Sequence, residues 1–362
     1  MSLATLRARL PRGLKAPRRA LVDGVHQRLS QLGALGRVPA VLYYGLYGRA
    51  FDREQLAVLR GRQAFWAQAK AVKRSSARLR RNIHRLEKGL IMQPRRPVFG
   101  EAFIEVTVGL YGQGLQAPGF SQEELAWARA VLQEYFTVVA SAPAVDRALR
   151  AFEALGPAPA VAQAQRPGPC IPQPQGQGPG TEISFDALKQ LFVQRRSVRW
   201  YRDTPVPLSL IEEALEAASL APSACNRQPF RFVAATKPAD AARIARCAGG
   251  TAGFADQLPA ILVAIGDLSA YPEERDRHLI YIDTALASMQ FLLAAETQGL
   301  STCAINWPDL PEAERKLAKL VPLAPYERVV MLIAVGYADP AGGVPYSQKK
   351  PSRLLLSEFR AP

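Results

Sequence analysis

The sequence predicts an α+β fold for the C-terminal half of the chain, because helical and strand patterns alternate along it. Apolar residues recur at helical spacing over residues 185–192 and 211–218. Short apolar runs at 230–235, 261–265 and 329–335 are typical of buried strands. Helices and strands in this arrangement pack as layers around a central sheet, so we expect a sandwich.

Several helix boundaries can be predicted from single residues. The first helical pattern opens after Ser184. Ser209 is a possible N-cap of the second, because a serine hydroxyl at that position accepts a hydrogen bond from a free backbone N–H. A third helix, over residues 281–297, is apolar around much of its circumference. Gly299 is expected to end it.

A segment rich in proline and glycine divides the chain. Twelve of the 25 residues from Gly156 to Gly180 are Pro or Gly, with Gln and Ala filling much of the rest. Such a segment buries too little apolar surface to offset the entropy of ordering it. We therefore predict a domain over residues 1–155, a linker over 156–180 and a second domain over 181–362.

Positive charge is concentrated in the first 100 residues, which hold 22 Lys and Arg against four acidic residues. The remaining 262 residues carry 24 basic and 27 acidic residues and are close to neutral. Few helix breakers occur over residues 55–90 and 123–135, so the first domain is predicted to be mostly helical. The difference in charge indicates that the two domains do different things.

The cysteines at positions 170, 225, 247 and 303 show no C-x-x-C spacing. This pattern argues against a disulfide framework or a zinc site and is expected in a reducing compartment. No run approaches the roughly 20 apolar residues of a membrane-spanning helix. Residues 1–22 are rich in Arg and free of acids, which fits either an organelle transit peptide or a basic arm on a bacterial cytoplasmic protein.

Three clusters carry groups that suit a single phosphorylated ligand. Arg195, Arg196, Ser197 and Arg199 lie within five residues, and guanidinium groups can bind phosphate oxygens through two parallel hydrogen bonds. A solvated helix end is the alternative, since basic residues there favour the helix dipole. The third cluster, Lys-Lys-Pro-Ser-Arg at 349–353, also suits phosphate but means little as a lone basic tail.

The second cluster is a loop with the sequence APSACNRQPF over residues 221–230. Two prolines restrict this loop, which presents hydroxyl and amide groups. Asn and Gln side chains pair well with a ring that bears carbonyl acceptors and an N–H donor. An ordinary polar turn has the same composition, so the loop alone does not define a site.

Together these clusters resemble the FMN-dependent nitroreductase family. The resemblance rests on R-R-S-x-R, then A-P-S-x-x-N-x-Q-P, then K-x-x-R after a strand that ends in Val-Gly-Tyr, and it covers about residues 184–356. It implies a nitroreductase-like sandwich with a central mixed sheet flanked by helices. It also implies an FMN cofactor and two-electron chemistry carried by the flavin N5, with no dedicated catalytic residue and no metal.

The same resemblance assigns roles to individual residues. Arg195, Ser197 and Arg199 would contact the FMN phosphate, ribityl chain and ring edge with Arg196 beside them, while Pro222, Ser223 and Asn226 would come from the other subunit of a homodimer. The backbone of Trp307, next to Asn306, would serve the flavin N5, and Lys350 and Arg353 would complete the phosphate contact. Ala224 stands where a second serine is common, and Pro351 alters the usual basic-x-Arg spacing.

The densest charge run, over residues 74–90, contains His84-x-x-Glu-Lys-Gly-Leu90. This segment resembles the N-terminal part of nitroreductase-like proteins from polysaccharide gene neighbourhoods. Three interpretations of this run remain open. It forms a solvated helical face, it contacts an anionic membrane surface with the help of the apolar residues 38–47, or it binds a polyanion. No recognised nucleic-acid motif supports a nucleic-acid partner. The segment could also cover the active site and select the substrate.

We therefore predict a homodimeric FMN oxidoreductase that transfers a hydride between NAD(P)H and an unidentified acceptor. Its expected location is the cytoplasm or the inner face of the membrane. One alternative is an FMN-dependent dehydrogenase or oxidase that tailors a biosynthetic intermediate. The other is a nitroreductase-like module without turnover that is recruited to a membrane or polyanion.

Overall fold

The computed structural model describes residues 25–48, 50–68, 72–156, 170–172 and 182–360. The predicted basic arm over residues 1–22 and most of the predicted linker over 156–180 lie outside the described residues.

The chain forms two compact units, Met1–Leu59 and Arg60–Pro362. In the first unit, residues 25–33 form helix α1, followed by α2 (Arg37–Leu42) and a π-helical turn at Tyr43–Gly48. Helix α3 (Asp52–Ala67) begins in this unit. The boundary at Leu59 differs from the predicted linker, and the independent folding of residues 181–362 stays a prediction.

The second unit contains a helical cluster with its own apolar core. Its helices are α4 (Ala77–Leu90), α5 (Ile104–Gln116), α6 (Gln122–Val138) and α7 (Pro143–Glu153). Buried side chains from all four helices, among them Ile83, Tyr111, Leu132 and Ala148, pack together. This cluster confirms the helical character predicted for the N-terminal region.

The helical pattern predicted over residues 55–90 is interrupted between α3 and α4. Ser76 has extended backbone, and its hydroxyl accepts a hydrogen bond from the N–H of Leu79 at 3.2 Å. Its own N–H donates to the Glu124 carboxylate at 3.1 Å. These bonds make Ser76 the N-cap of α4, so residues 55–90 do not form one continuous helix.

A four-stranded antiparallel sheet forms the centre of the C-terminal region. Its strands are β1 (Phe230–Ala235), β2 (Ala260–Asp267), β3 (Ser301–Asn306) and β4 (Glu327–Gly336), in the order β1-β2-β4-β3. The parallel pairing expected of a mixed sheet is represented by a bridge between Ser197 and Thr302 at the free edge of β3.

Helices cover both faces of this sheet, which confirms the α+β sandwich. The helices of this region are α8 (Phe185–Gln194), α9 (Leu208–Ser219), α10 (Pro238–Ala245), α11 (Leu279–Thr297) and α12 (Pro311–Leu317). Neighbouring residues of β4 serve opposite faces. Leu332 packs in the cluster that contains Ile244 and Leu317, whereas Ile333 packs in the cluster that contains Phe291.

One of the two predicted helix starts agrees with the structure and the other does not. Ser184 caps α8, since its hydroxyl accepts from the N–H of Ala187 at 3.1 Å. Ser209 lies inside α9, whose N-cap is Pro207, so that prediction was wrong. No side chain accepts a hydrogen bond from the free N–H groups at this end of α9. Gly299 follows α11 with φ +78°, a left-handed conformation that suits glycine.

One described helical stretch, Glu274–Thr297, is long and apolar enough to cross a membrane by length and composition alone. About 44% of its apolar window is buried in the protein, and the core helix of a sandwich has the same character.

Candidate functional site

The predicted arginine cluster runs along the free edge of β3. Helix α8 ends at Gln194, and Arg195 already has extended backbone. The N–H of Val198 donates to the carbonyl of Thr302 at 3.1 Å, in addition to the Ser197–Thr302 bridge. This pairing holds the segment against the sheet as a short additional strand.

Arg195 and Arg199 are half-buried and form no ion pair with a carboxylate in the part of the chain that the structure describes. Arg199 instead donates to the carbonyl of Ser197 at 3.2 Å. Burial raises the pKa of the nearby Cys303 thiol, while Arg199, the Ser197 hydroxyl and Arg195 act to lower it. Two guanidinium groups and one hydroxyl therefore act on a buried position of β3, and neither guanidinium group pairs with a carboxylate among the described residues.

Two buried polar atoms beside this segment lack hydrogen-bond partners among the described residues. They are Oγ1 of Thr302, on β3, and Nε1 of Trp307, directly after β3. Trp307 is buried, whereas the neighbouring Asn306 is exposed. Unsatisfied buried polar atoms are uncommon in folded proteins and often mark the place of a ligand or water.

Arg196 connects this segment to the C-terminal part of the chain. Its guanidinium group donates to the carbonyl of Tyr346 at 2.8 Å and to that of Pro345. Lys350 and Arg353, the predicted phosphate contacts that follow, are exposed, and Arg353 lies in a short 3-10 turn. Neither forms an ion pair with another described residue. Arg196 therefore attaches the chain segment that leads to Lys350 and Arg353 to the arginine segment.

The loop before β1 has an unusual backbone. Cys225, Asn226 and Gln228 have φ values of 52°, 51° and 49°, in the left-handed region that non-glycine residues rarely adopt. Local hydrogen bonds support this conformation, since the N–H of Gln228 donates to the Ser223 hydroxyl at 3.1 Å. The Gln228 side chain donates to Oδ1 of Asn226 at 3.3 Å. Clustered backbone strain of this kind is typical of functional sites.

Two elements that sequence analysis did not assign to the site anchor this loop. Oδ2 of Asp283 accepts hydrogen bonds from the Ala224 N–H at 3.0 Å and from the Tyr271 hydroxyl at 2.9 Å. Burial raises the pKa of Asp283, and these two bonds and Arg227 oppose the rise. On the other side, Nε of Arg80 on α4 donates to the carbonyl of Asn226 at 3.0 Å. A charged residue in the first half of a mostly apolar helical run was the available signal for Asp283.

Within one chain, the structure does not bring the arginine segment close to the loop over residues 222–228. The arginine segment lies outside β3, whereas the loop over residues 222–228 leads into β1, at the opposite edge of the sheet. Neighbouring strands are separated by about 4.8 Å, so the two edges of a four-stranded sheet are roughly 14 Å apart. Pro222, Ser223 and Asn226 thus contact different elements from those beside Arg195.

A family model described as the Nitroreductase family matches residues 192–252 and 237–337. These matches contain the arginine segment, the loop before β1, and all four strands. The C-terminal region of the chain matches the nitroreductase family over these residues. The N-terminal resemblance to proteins of polysaccharide gene neighbourhoods lies outside the matched residues and stays a prediction.

Several known proteins are similar to this region. A Thermus thermophilus NADH dehydrogenase is 44% identical over 80 residues, which are 22% of this chain and 38% of the relative. An iodotyrosine deiodinase from Haliscomenobacter hydrossis is 27% identical over 195 residues, covering 46% of this chain and 86% of the relative. The chain spans less than half the length of the Thermus relative and of a Caulobacter relative that is 32% identical over 91 residues.

A solved structure, an FMN-dependent nitroreductase from Clostridium difficile R20291, aligns with 43% of this chain and 91% of its own length. The sequence identity is 22% and the TM-score 0.38.

Proposed function

We propose that the protein is an FMN-dependent oxidoreductase that transfers a hydride between NAD(P)H and an organic acceptor. The observation that carries this proposal is the half-buried pair Arg195 and Arg199 at the free edge of β3, without a carboxylate partner among the described residues. The nitroreductase match over the same segment supports it. The NADH dehydrogenase among the similar proteins supports NAD(P)H as the reductant.

The residues at this edge fit a flavin phosphate. Two guanidinium groups would bind phosphate oxygens, and the unpartnered Oγ1 of Thr302 and Nε1 of Trp307 offer further polar contacts. Bound FMN would supply hydride acceptance and donation at N5. The protein would orient the ring, hold its phosphate and limit water around it. Lys350 and Arg353 would add positive charge from the segment that Arg196 holds.

We also propose that two copies of the chain share each flavin site. Support comes from the sheet order, which separates the arginine segment from Asn226 within one chain. The outer face of α11 exposes Ile282, Leu286 and Met289, spaced as neighbours along one helical stripe. A row of exposed apolar residues of this kind is typical of an interface between proteins.

The N-terminal unit has a second, separate surface. Leu35, Val38, Val41 and Leu46 are each at least 70% exposed. Together with the basic residues of this region, these apolar side chains suit contact with an anionic membrane surface. We propose that the protein is a cytoplasmic enzyme that binds peripherally to such a surface. Binding of the full chain to vesicles with acidic lipid, weakening as salt rises, would support this location; no binding at low salt would refute it.

The absorbance spectrum of the purified protein tests the proposed function directly. Oxidised-flavin bands should appear, and NAD(P)H should bleach them within seconds in the absence of oxygen. A flavin that NAD(P)H fails to reduce, but that a biosynthetic intermediate reduces, would favour a dehydrogenase or oxidase. A colourless protein that takes up no added FMN would refute the proposal.

A further inference from the structure

A cavity of about 290 Å³ lies between α4 and the segment that leads into α5. Basic and apolar residues line it, among them Arg85, Lys88, Gly89, Arg96, Phe99 and Phe103. None of these lining residues is acidic. The cavity is close in size to the smaller ligand sites of proteins, and it belongs to the basic N-terminal region whose role the flavin site does not explain.

The positive charges at this cavity are not neutralised by the protein. Arg85, Lys88 and Arg96 form no ion pair with any other described residue. Two acids adjoin lining residues in the sequence, Glu101 next to Gly100 and Glu87 next to Lys88. Glu101 lies near Tyr135, whose pKa it acts to raise. Glu87 is engaged elsewhere. It accepts a hydrogen bond from Nε1 of Trp127 at 2.8 Å and contacts Nδ1 of His84 at 3.1 Å. Three cations around one concave surface, none of them in an ion pair among the described residues, favour binding of an anion.

Two aromatic side chains, Phe99 and Phe103, form walls of the cavity, and contacts with neighbouring residues hold them in place. The Arg85 guanidinium group lies over the Phe103 ring, 3.8 Å from its centroid. Gly89 leaves room for Phe99, because a Cβ at this position would overlap the Phe99 ring. The Phe99 carbonyl accepts a hydrogen bond from the Tyr135 hydroxyl at 2.6 Å, which fixes this wall. The site therefore combines positive charge with a flat apolar surface.

The same helix carries this charge to the loop proposed to reach the flavin. Arg80 binds the Asn226 carbonyl, and Arg85 lies about 7.5 Å further along the helix axis at a rise of 1.5 Å per residue. Burial lowers the pKa of Arg81, and the nearby charges of Arg85 and Arg227 lower it further. Arg227 is only 6% exposed, and its Nε has no partner among the described residues. Positive charge thus extends from the cavity to the loop.

We propose that this cavity binds the anionic group of a small aromatic acceptor. The acceptor would then lie beside the loop over residues 222–228, which is proposed to reach the flavin. That the ligand is an electron acceptor rests on the proposed function. That the cavity binds an aromatic anion does not rest on it. The Lys-Gly pair of the sequence motif then has a chemical role: Lys88 contributes charge and Gly89 admits the aromatic wall.

Calorimetric titration with 4-nitrobenzoate and with its neutral analogue 4-nitrobenzamide tests the proposal without any turnover. The full chain should bind the anion on the order of tenfold more tightly than the amide, because a charged partner strengthens each hydrogen bond. Lys88→Met combined with Arg96→Met should abolish this preference. Both residues are exposed, so the variant should fold, which its thermal unfolding curve will verify.

Lys316→Met is the matched control, since its ammonium group pairs with Glu312 on α12 and does not line the cavity. It should retain the preference. Equal binding of the two compounds by the wild-type chain, or an unchanged preference in the Lys88/Arg96 variant, would overturn the proposal. Loss of vesicle binding in that variant, with no binding of 4-nitrobenzoate to the wild type, would assign these residues to a lipid surface instead. The flavin spectrum reports separately on the proposed function.

Discussion

Nε of Arg80 donates a hydrogen bond to the main-chain carbonyl of Asn226 at 3.0 Å. Arg80 also pairs with Glu124 of α6 at 3.3 Å, so the contact is fixed from the helical cluster. The strained loop before β1 is therefore supported from two sides, by α4 and by Asp283 of α11. This relationship connects the basic N-terminal helix to the loop that we propose reaches a flavin.

We expect Arg195→Ala and Arg353→Ala each to lower FMN affinity by on the order of tenfold to a hundredfold, because each removes a charge-assisted contact. Fluorescence titration of the apoprotein measures the effect. Riboflavin, which lacks the phosphate, is the control and should bind the variants and the wild type about equally. If FMN affinity is unchanged in both variants, the phosphate lies elsewhere.

Sharing of the flavin site between subunits predicts complementation. Arg199→Ala and Asn226→Ala should each be nearly inactive, but heterodimers of the two should recover partial activity because one of their two sites carries both native residues. Heterodimers of Arg199→Ala with Arg195→Ala, which alter the same segment, should recover none. Absence of recovery in heterodimers verified by mass would argue against the shared site.

Asp283 should contribute to stability through the loop that it anchors. Asp283→Leu leaves the Ala224 N–H and the Tyr271 hydroxyl without their acceptor, and the free energy of unfolding should fall by about 1–3 kcal/mol. Tyr271→Phe removes one of the two bonds and leaves no unsatisfied N–H, so its effect should be smaller. Denaturant unfolding measures both; equal stability of Asp283→Leu and wild type would contradict this role.

The pair Arg231–Glu327 should stabilise the sheet in a pH-dependent way. Burial raises the pKa of Glu327, but hydrogen bonds from Arg231, at 2.6 and 2.9 Å, and from the Ala324 N–H outweigh it, so the pKa lies below its ordinary value. The folded state therefore favours the carboxylate. Its contribution is fully present above the unfolded-state pKa of about 4.3 and is lost as the pH falls through the lower folded-state value.

Glu327→Gln should accordingly lower stability near pH 7 by about 1 kcal/mol, a modest figure because Arg231 is partly exposed to solvent. The difference from wild type should shrink below about pH 4, where the wild-type carboxyl also becomes neutral. Unfolding curves at several pH values measure this, with Glu312→Gln, at an exposed pair on α12, as the control. A difference that stays constant down to pH 2 would show that ionisation of Glu327 is not involved.

Local sequence patterns were sufficient for much of the C-terminal region. The run at 230–235 coincides with β1, and α8 begins directly after Ser184 as expected. These features depend on residues close in sequence, such as a hydroxyl next to a free N–H or a run of buried apolar residues. The nitroreductase motifs could be recognised for the same reason, since each is a short segment.

The sequence by itself determined the fold class, the concentration of basic charge and the residues proposed to hold a phosphate. Only the tertiary structure decided that Asp283 and Arg80 anchor the loop at Asn226, that the arginine segment lies at the opposite sheet edge, and that Lys88 and Phe99 line one cavity. The partners in these contacts are as far as 146 residues apart in the chain. Their pairing depends on the order of strands and the packing of helices, which no local pattern of side chains specifies.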